Sequence, residues 1–326
     1  MIFLEPCLGK QGSMMSLHRG SISMVQTGAT LHPRFLLVDG HAYAYRAFYA
    51  IRQLNSPSGQ ATNAIYGFIK MLAKMQAQLQ PTHLMILWDG GLAEERMTLL
   101  PEYKAQRPEM PSDLERQLDE IMEYLRAASI TSWCEEGVEA DDFIATIAKK
   151  SVDAGLPVVI ASADKDFMQL VSEHVSLLNP NDKTELLWTA ANVRAKAGVE
   201  PEQIVDWLSL VGDSVDNISG VTGVGPKTAS DLMKQFGSLE ELYRRLPEVK
   251  SERLRTNLAT AREIVLRNQK LIRLRDDLPC DFELEKFSTK PAANEDLRRL
   301  FTGWGFKTLL HDLEKAQVKQ SNLFGD

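Results

Sequence analysis

The chain has 326 residues, room for about two ordinary domains, and its 44% hydrophobic and 25% charged residues are globular proportions. A formal charge of −7, from 37 Lys and Arg against 44 Asp and Glu, argues against a protein that coats nucleic acid with uniform positive charge. No apolar run approaches the roughly 18 residues of a membrane helix. Cys7, Cys134 and Cys280 make no disulfide framework and fit a reducing, cytoplasmic setting, and the six histidines offer no pair at zinc-ligand spacing.

Residues 1–33 hold scattered glycines and serines without a sustained period, and read as a disordered N-terminal extension. From Phe35 the pattern alternates. Phe35–Val38, His83–Trp88, Ile130–Trp133 and Pro157–Ala161 are short apolar strands, and Asn63–Gln80, Leu114–Ala128 and Ala140–Ala154 have helical spacing. Fully apolar strands alternating with helices predict a parallel α/β sheet covered on both faces. Val175–Leu178 and Glu185–Thr189 flank the turn-rich Asn179–Asp182 and read as a terminal hairpin. After Pro201 the strands are expected to cease. Gln203–Val211, Thr228–Phe236, Leu239–Leu246, Ser251–Arg275 and Glu295–Glu314 read as helices, which puts a domain boundary near residue 200.

The chemical signal is where the acids fall. Asp39 ends the first strand, Asp89 ends the second, and Asp164 and Asp166 follow Pro157–Ala161. Glu139, Asp141 and Asp142 open a helix, and Asp213 and Asp216 follow another. A single Asp after a strand is ordinarily a cap or turn residue. The set is different, because ligands gather at the carboxyl ends of parallel strands. Two unit charges 4 Å apart repel by roughly 4 kcal/mol at an effective dielectric of about 20. Divalent cations would neutralise such a group, and oxygen-only ligands select Mg²⁺ or Mn²⁺. Two such ions can drive phosphodiester hydrolysis.

Residues 221–229 (Val-Thr-Gly-Val-Gly-Pro-Lys-Thr-Ala) lie between two helices. Their glycines allow close backbone approach to a phosphate, and the following helix start favours an anion. Pro226 separates Gly225 from Lys227, and no strand precedes the loop, so it is not a nucleotide-binding P-loop. The chain also lacks a Gly-x-Ser-x-Gly elbow.

With these strings, the chain resembles the bacterial 5′→3′ exonuclease or flap endonuclease family, often found as the N-terminal domain of DNA polymerase I. The resemblance runs from about Phe35 to Phe282, through Val-Asp39-Gly-His-Ala-Tyr-Ala-Tyr-Arg46-Ala-Phe, Tyr103-Lys104-Ala-Gln-Arg107-Pro, Glu139-Ala-Asp-Asp142, Ala-Asp164-Lys-Asp166 and Gly-Asp213-Ser-Val-Asp216-Asn. It implies a PIN-like α/β catalytic domain over 34–200 and an all-α helix-hairpin-helix DNA-binding domain over 201–315. It further implies that Asp39, Asp89, Glu139 and Asp141 surround one metal ion. Asp164, Asp166 and Asp216, with Asp141 shared, would surround a second, and Asp142 and Asp213 would lie in outer positions. A K⁺ ion would sit on carbonyls around Gly223–Gly225. Residues 91–112 would form the family's helical arch, with Lys104 and Arg107 on the scissile phosphate and Tyr103 stacking on an unpaired base. Arg46, Arg96, Gly223, Gly225, Lys227 and Thr228 would contact DNA. Gly90–Glu95 departs from the basic and aromatic residues that the family commonly has there.

The sequence ends at Asp326 with no polymerase or proofreading domain, which leads to the expectation of a stand-alone monomeric nuclease. The last residues, 316–326, read as a flexible tail. Within it, Gln320, Leu323 and Phe324 resemble a sliding-clamp binding peptide. The expected substrates are DNA 5′ flaps, nicks and 5′ ends, including RNA-primed ones. The alternatives are removal of RNA primers only, in the manner of RNase H, or a catalytically weak branched-DNA binding module. Without the nine candidate acids, a chain at −7 would stand at +2, so the acidic balance is largely that of the candidate site.

Overall fold

Five strands carry the sheet, four of them largely apolar on both faces and the other a half-buried Thr-Ser-Trp. They are β1 (Phe35–Asp39), β2 (His83–Leu87), β3 (Thr131–Trp133), β4 (Val158–Ala161) and β5 (Val175–Leu178), all parallel; β6 (Leu187–Trp188) pairs antiparallel to β5 as the predicted hairpin. The computed structural model describes residues 34–182, 184, 186–292 and 294–323, with side chains as far as 315. The predicted N-terminal extension and Phe324 of the tail lie outside the described residues, as do the side chains of Gln320 and Leu323.

The strand order is β3-β2-β1-β4-β5-β6. The chain runs from β1 outward to β2 and β3, then returns to β1's other edge for β4 and β5. That reversal opens a crevice at the carboxyl ends of β1 and β4, where a doubly wound sheet places its ligand.

Alternate strand residues face opposite layers. Leu36, Val38, Leu84 and Ile86 pack under α1 (Gly40–Ala50), α2 (Asn63–Leu79) and, past the short α3 (Glu94–Leu99), α4 (Ser112–Ala127). Phe35, Leu37, Met85, Leu87 and Ile160 pack under α5 (Ala140–Asp153). That second core continues without a break into the helices that follow. They are α6 (Ala190–Ala197), α7 (Ile204–Val211), α8 (Pro226–Phe236), α9 (Leu239–Arg244), α10 (Glu252–Thr260) and α11 (Arg262–Ile272). Between α7 and α8, β7 (Gly212–Asp213) and β8 (Ile218–Ser219) form a two-residue ladder. So the strands do not wholly cease after Pro201, and the ladder bends the chain sharply around Asp213 and Asp216.

Two long predicted helices divide. Ser251–Arg275 breaks at Ala261 into α10 and α11, and Glu295–Glu314 breaks at Gly305 into α12 (Asn294–Trp304) and α13 (Lys307–Leu323). Gly305 has φ 75°, a left-handed helix stop that favours glycine. Ala261 gives no such signal.

The grouping of 201–315 as one helical domain also changes. Leu297, Leu300, Phe301 and Trp304 of α12 pack on the opposite layer, with Tyr124 of α4 stacked on Phe301 at 6.2 Å. Phe301→Ala should therefore cost about 3–5 kcal/mol, as core aromatic truncations do, measured by urea unfolding. A loss under about 1 kcal/mol would show that α12 does not share this core.

Candidate active site

Four strand ends and loops deliver the acids to one cavity of about 640 Å³, lined by Asp39, Asp89, Glu139, Asp141, Asp164 and Asp213. Asp39 caps α1, its Oδ1 accepting from Ala42 N at 3.0 Å, while its Oδ2 accepts from Ser162 Oγ at 2.8 Å across the crevice. The ordinary cap role is thus real, and the same carboxyl faces the cavity. Asp89 Oδ1 accepts from Ala140 N at 2.9 Å, and the Asp89 N–H donates to His41 Nδ1 at 3.1 Å. Asp164 accepts from Asp166 N at 2.8 Å. Asp166, Asp213 and Asp216 each bring an oxygen within 4.8 Å of the others. The β7–β8 turn thus sets Asp213 beside Asp166 and Asp216, where the resemblance implies an outer position for it.

Four cations sit on these acids. Lys104 Nζ pairs with Glu139 Oε2, Arg107 Nη2 lies 2.8 Å from Asp216 Oδ1, and Lys165 Nζ lies 2.9 Å from Asp213 Oδ2. Lys104 is held at φ 56°, a costly region for a lysine, and its N–H donates to Asp216 O at 3.1 Å. The segment after α3 is thereby tied down onto the acids.

Arg96, the fourth, has every guanidinium nitrogen engaged. Its Nη1 and Nη2 donate to Asp142 at 2.8 and 2.7 Å, Nη1 also stands 3.0 Å from Glu139, and Nε and Nη2 donate to the Leu271 and Arg273 carbonyls at 3.0 and 3.4 Å. At 5% exposure it offers DNA nothing, so the DNA-contact role implied for Arg96 gives way to a tie between α3, α5 and the end of α11. Asp142 is accordingly turned away from the cavity and held by Arg96 and by the Arg275 N–H at 2.9 Å. It is not placed to ligate an ion in the cup. Tyr103 is also buried, 3% exposed, with its hydroxyl 3.3 Å from Glu139 and 3.4 Å from Asp216. It braces two acids here and presents no open ring face for stacking.

The remaining candidates lie elsewhere. Arg46 is exposed on α1 and bonds Asn181, beside a separate cavity. Gly223, at φ 79°, and Gly225 form an exposed turn before Pro226, the first residue of α8, with Lys227 exposed behind it. Asn257 of α10 donates to the Thr222 carbonyl at 2.9 Å and fixes that turn. Ser162, His41 and Lys165 complete the site without having been singled out in the sequence, and no spacing marks them.

Burial, opposed by the Ala42 N–H and reinforced by Asp89, pushes the Asp39 carboxyl up to about 7. Burial and then neighbouring acids raise Asp141 and Asp166 well above the carboxylate range, and burial also raises Asp164. Glu139 goes the other way: burial opposes its ionisation, but Lys104 and Arg96 outweigh it and hold the group below its ordinary value. Asp166 Oδ1 is buried with no hydrogen-bond partner. An oxygen-only cup with an orphaned carboxylate oxygen and suppressed ionisation fits a hard divalent cation.

The convergent acids at a switch point, bridged by basic residues, make an α/β site that could hold divalent metal. Residues 34–198 match the family model described as 5′-3′ exonuclease, N-terminal resolvase-like domain, and 199–295 match 5′-3′ exonuclease, C-terminal SAM fold. The chain is 37% identical to a 5′-3′ exonuclease of Aquifex aeolicus, covering 88% of this chain and 98% of that one. It is 38% identical to DNA polymerase I of Bacillus caldotenax over 88% of its own length, and spans 33% of that polymerase. The T5 5′-exonuclease with bound zinc shares the fold at TM-score 0.63 and 22% identity, covering 88% of this chain and 98% of the other. The chain belongs to the 5′-3′ exonuclease family.

Two outcomes follow. Arg96→Met leaves Asp142 buried without its counter-charge and should cost about 3–5 kcal/mol by differential scanning calorimetry; wild-type stability would refute the tie. Ligation requires ionised carboxylates, so near pH 6, below the value of about 7 for Asp39, a divalent cation should release a proton from that carboxyl. Affinity should then rise with pH, and Mn²⁺ calorimetry in two buffers of different ionisation enthalpy should differ. Identical heats in both would contradict the raised values.

Proposed function

We propose that the chain cleaves DNA phosphodiesters at 5′ ends, nicks and 5′ flaps, including RNA-primed ends, with two Mg²⁺ or Mn²⁺ ions in the acid cup. The observation that carries this is the cup itself, with Lys104 and Arg107 of the arch segment among its lining residues. Asp39, Asp89, Glu139 and Asp141 would hold one ion, and Asp164, Asp166, Asp213 and Asp216 the other. When bound, the ions supply water activation and stabilise the leaving oxygen.

The chain's own residues do the rest. Lys104 and Arg107 hold the scissile phosphate as charged donors. Tyr103 and Arg96 keep Glu139 in place. The Gly223–Gly225 turn and the N–H groups of Lys227 and Thr228 at the start of α8 grip the duplex backbone without reading sequence. Carbonyls of that turn would hold K⁺, and Arg46 would meet the backbone farther out. The chain would act as a monomer in the cytoplasm. Gln320, Leu323 and Phe324 would dock on a sliding clamp, and clamp binding unchanged after deletion of 320–326 would refute that.

Asp141→Ala or Asp164→Ala should abolish Mg²⁺-dependent cleavage of a labelled flap while leaving DNA binding and thermal stability intact, because each removes a repelled buried acid. Undiminished cleavage by either variant would overturn the assignment. Lys104→Ala should lower turnover by roughly 10²-fold with little change in duplex affinity; equal losses in both would make Lys104 a docking residue.

A further inference from the structure

Three cations line the cup, and two of them, Lys104 and Arg107, come from the arch segment. The third, Lys165, comes from another wall, between Asp164 and Asp166. Its Nζ stands 2.9 Å from Asp213 Oδ2, while Asp213 Oδ1 is fixed by the Val215 N–H at 2.9 Å. The Asp213 side chain is 7% exposed and that of Lys165 40%. The acid is therefore fixed, and the lysine has solvent into which it can withdraw on its flexible stem. Asp213 belongs to the trio with Asp166 and Asp216, so a divalent cation and this ammonium seek the same carboxylate and repel each other.

We propose that Lys165 is the resident counter-ion of Asp213, gives way when a divalent cation enters the Asp166–Asp213–Asp216 trio, and then contacts a phosphate of the bound strand. This rests on the metal-dependent nuclease function proposed above. Once the cation neutralises Asp213, the ammonium loses its partner but stays tethered in the same cavity, where the strand brings negative charge. One side chain then links two binding events. Lys165 opposes the cation in the free protein and favours DNA only in the loaded one, so metal and DNA reinforce each other through it.

The test uses Lys165→Gln, with Lys165→Arg as the charge-keeping control. In Mn²⁺ titrations of the DNA-free protein, followed by electron paramagnetic resonance, K165Q should bind roughly fivefold tighter, the worth of a partly exposed ion pair, and K165R should match the wild type. On a flap duplex with a non-hydrolysable linkage at the junction, K165Q should lose affinity in Mn²⁺ but not in chelator. Weaker or unchanged Mn²⁺ binding by K165Q, or an equal loss of DNA affinity with and without metal, would overturn the proposal while leaving the nuclease function standing. Failure of the wild-type chain to bind Mn²⁺ would overturn both.

Discussion

The mutual repulsion of the acids crowded at one sheet edge is the constraint on which the rest of the structure depends. A parallel sheet with a reversal between β1 and β4 brings strand ends together, and the sequence places acids at those ends. Such a cup must be compensated, by protons, by basic side chains or by cations. All three modes have a physical signature here. Burial pushes the carboxyls of Asp39, Asp141 and Asp166 up, toward their protonated forms. Glu139, Asp213 and Asp216 are met by Lys104, Lys165 and Arg107. Asp166 keeps an oxygen with no partner at all.

The same compensation shapes the segment from α3 to Arg107. Arg96, Tyr103, Lys104 and Arg107 come from one stretch of twelve residues, and between them they end on Glu139, Asp142 and Asp216. The local fold there owes little to α3, which is six residues long. It is held by charge, down to the strained backbone of Lys104. Arg96 extends the tie to the carbonyls that end α11, so one guanidinium links the acids of the cup to the helical half of the chain. A buried pair of this kind contributes specificity of arrangement more than net stability.

Much of this was legible in the sequence. The apolar strands, their alternation with helices, and acids at strand ends are local patterns, and local patterns survive folding. The hairpin β5–β6 was marked by its turn residues. What escaped depends on contacts between distant residues. Asp142 and Asp141 look equivalent at a helix start, yet helix rotation turns one to Arg96 and the other to the cup. Arg96 and Asp142 are 46 residues apart, and no spacing rule pairs them. Asp213 moved inward because a two-residue ladder bends its loop. The break at Ala261 carries no glycine or proline, and the docking of α12 on the far layer is a tertiary choice. The acidic balance of the whole chain is likewise a local property: the acids of the cup carry it, and the remainder is slightly basic.

Anomalous diffraction from crystals grown with Mn²⁺ would locate the cation in the cup without relying on turnover. Mn²⁺ peaks should appear inside the cup, one against Asp39 and Asp141 and one against Asp166, Asp213 and Asp216, with Lys165 withdrawn from Asp213. Manganese bound only outside the cup at saturating concentration, with the carboxylates still paired to their lysines and arginine, would contradict this placement.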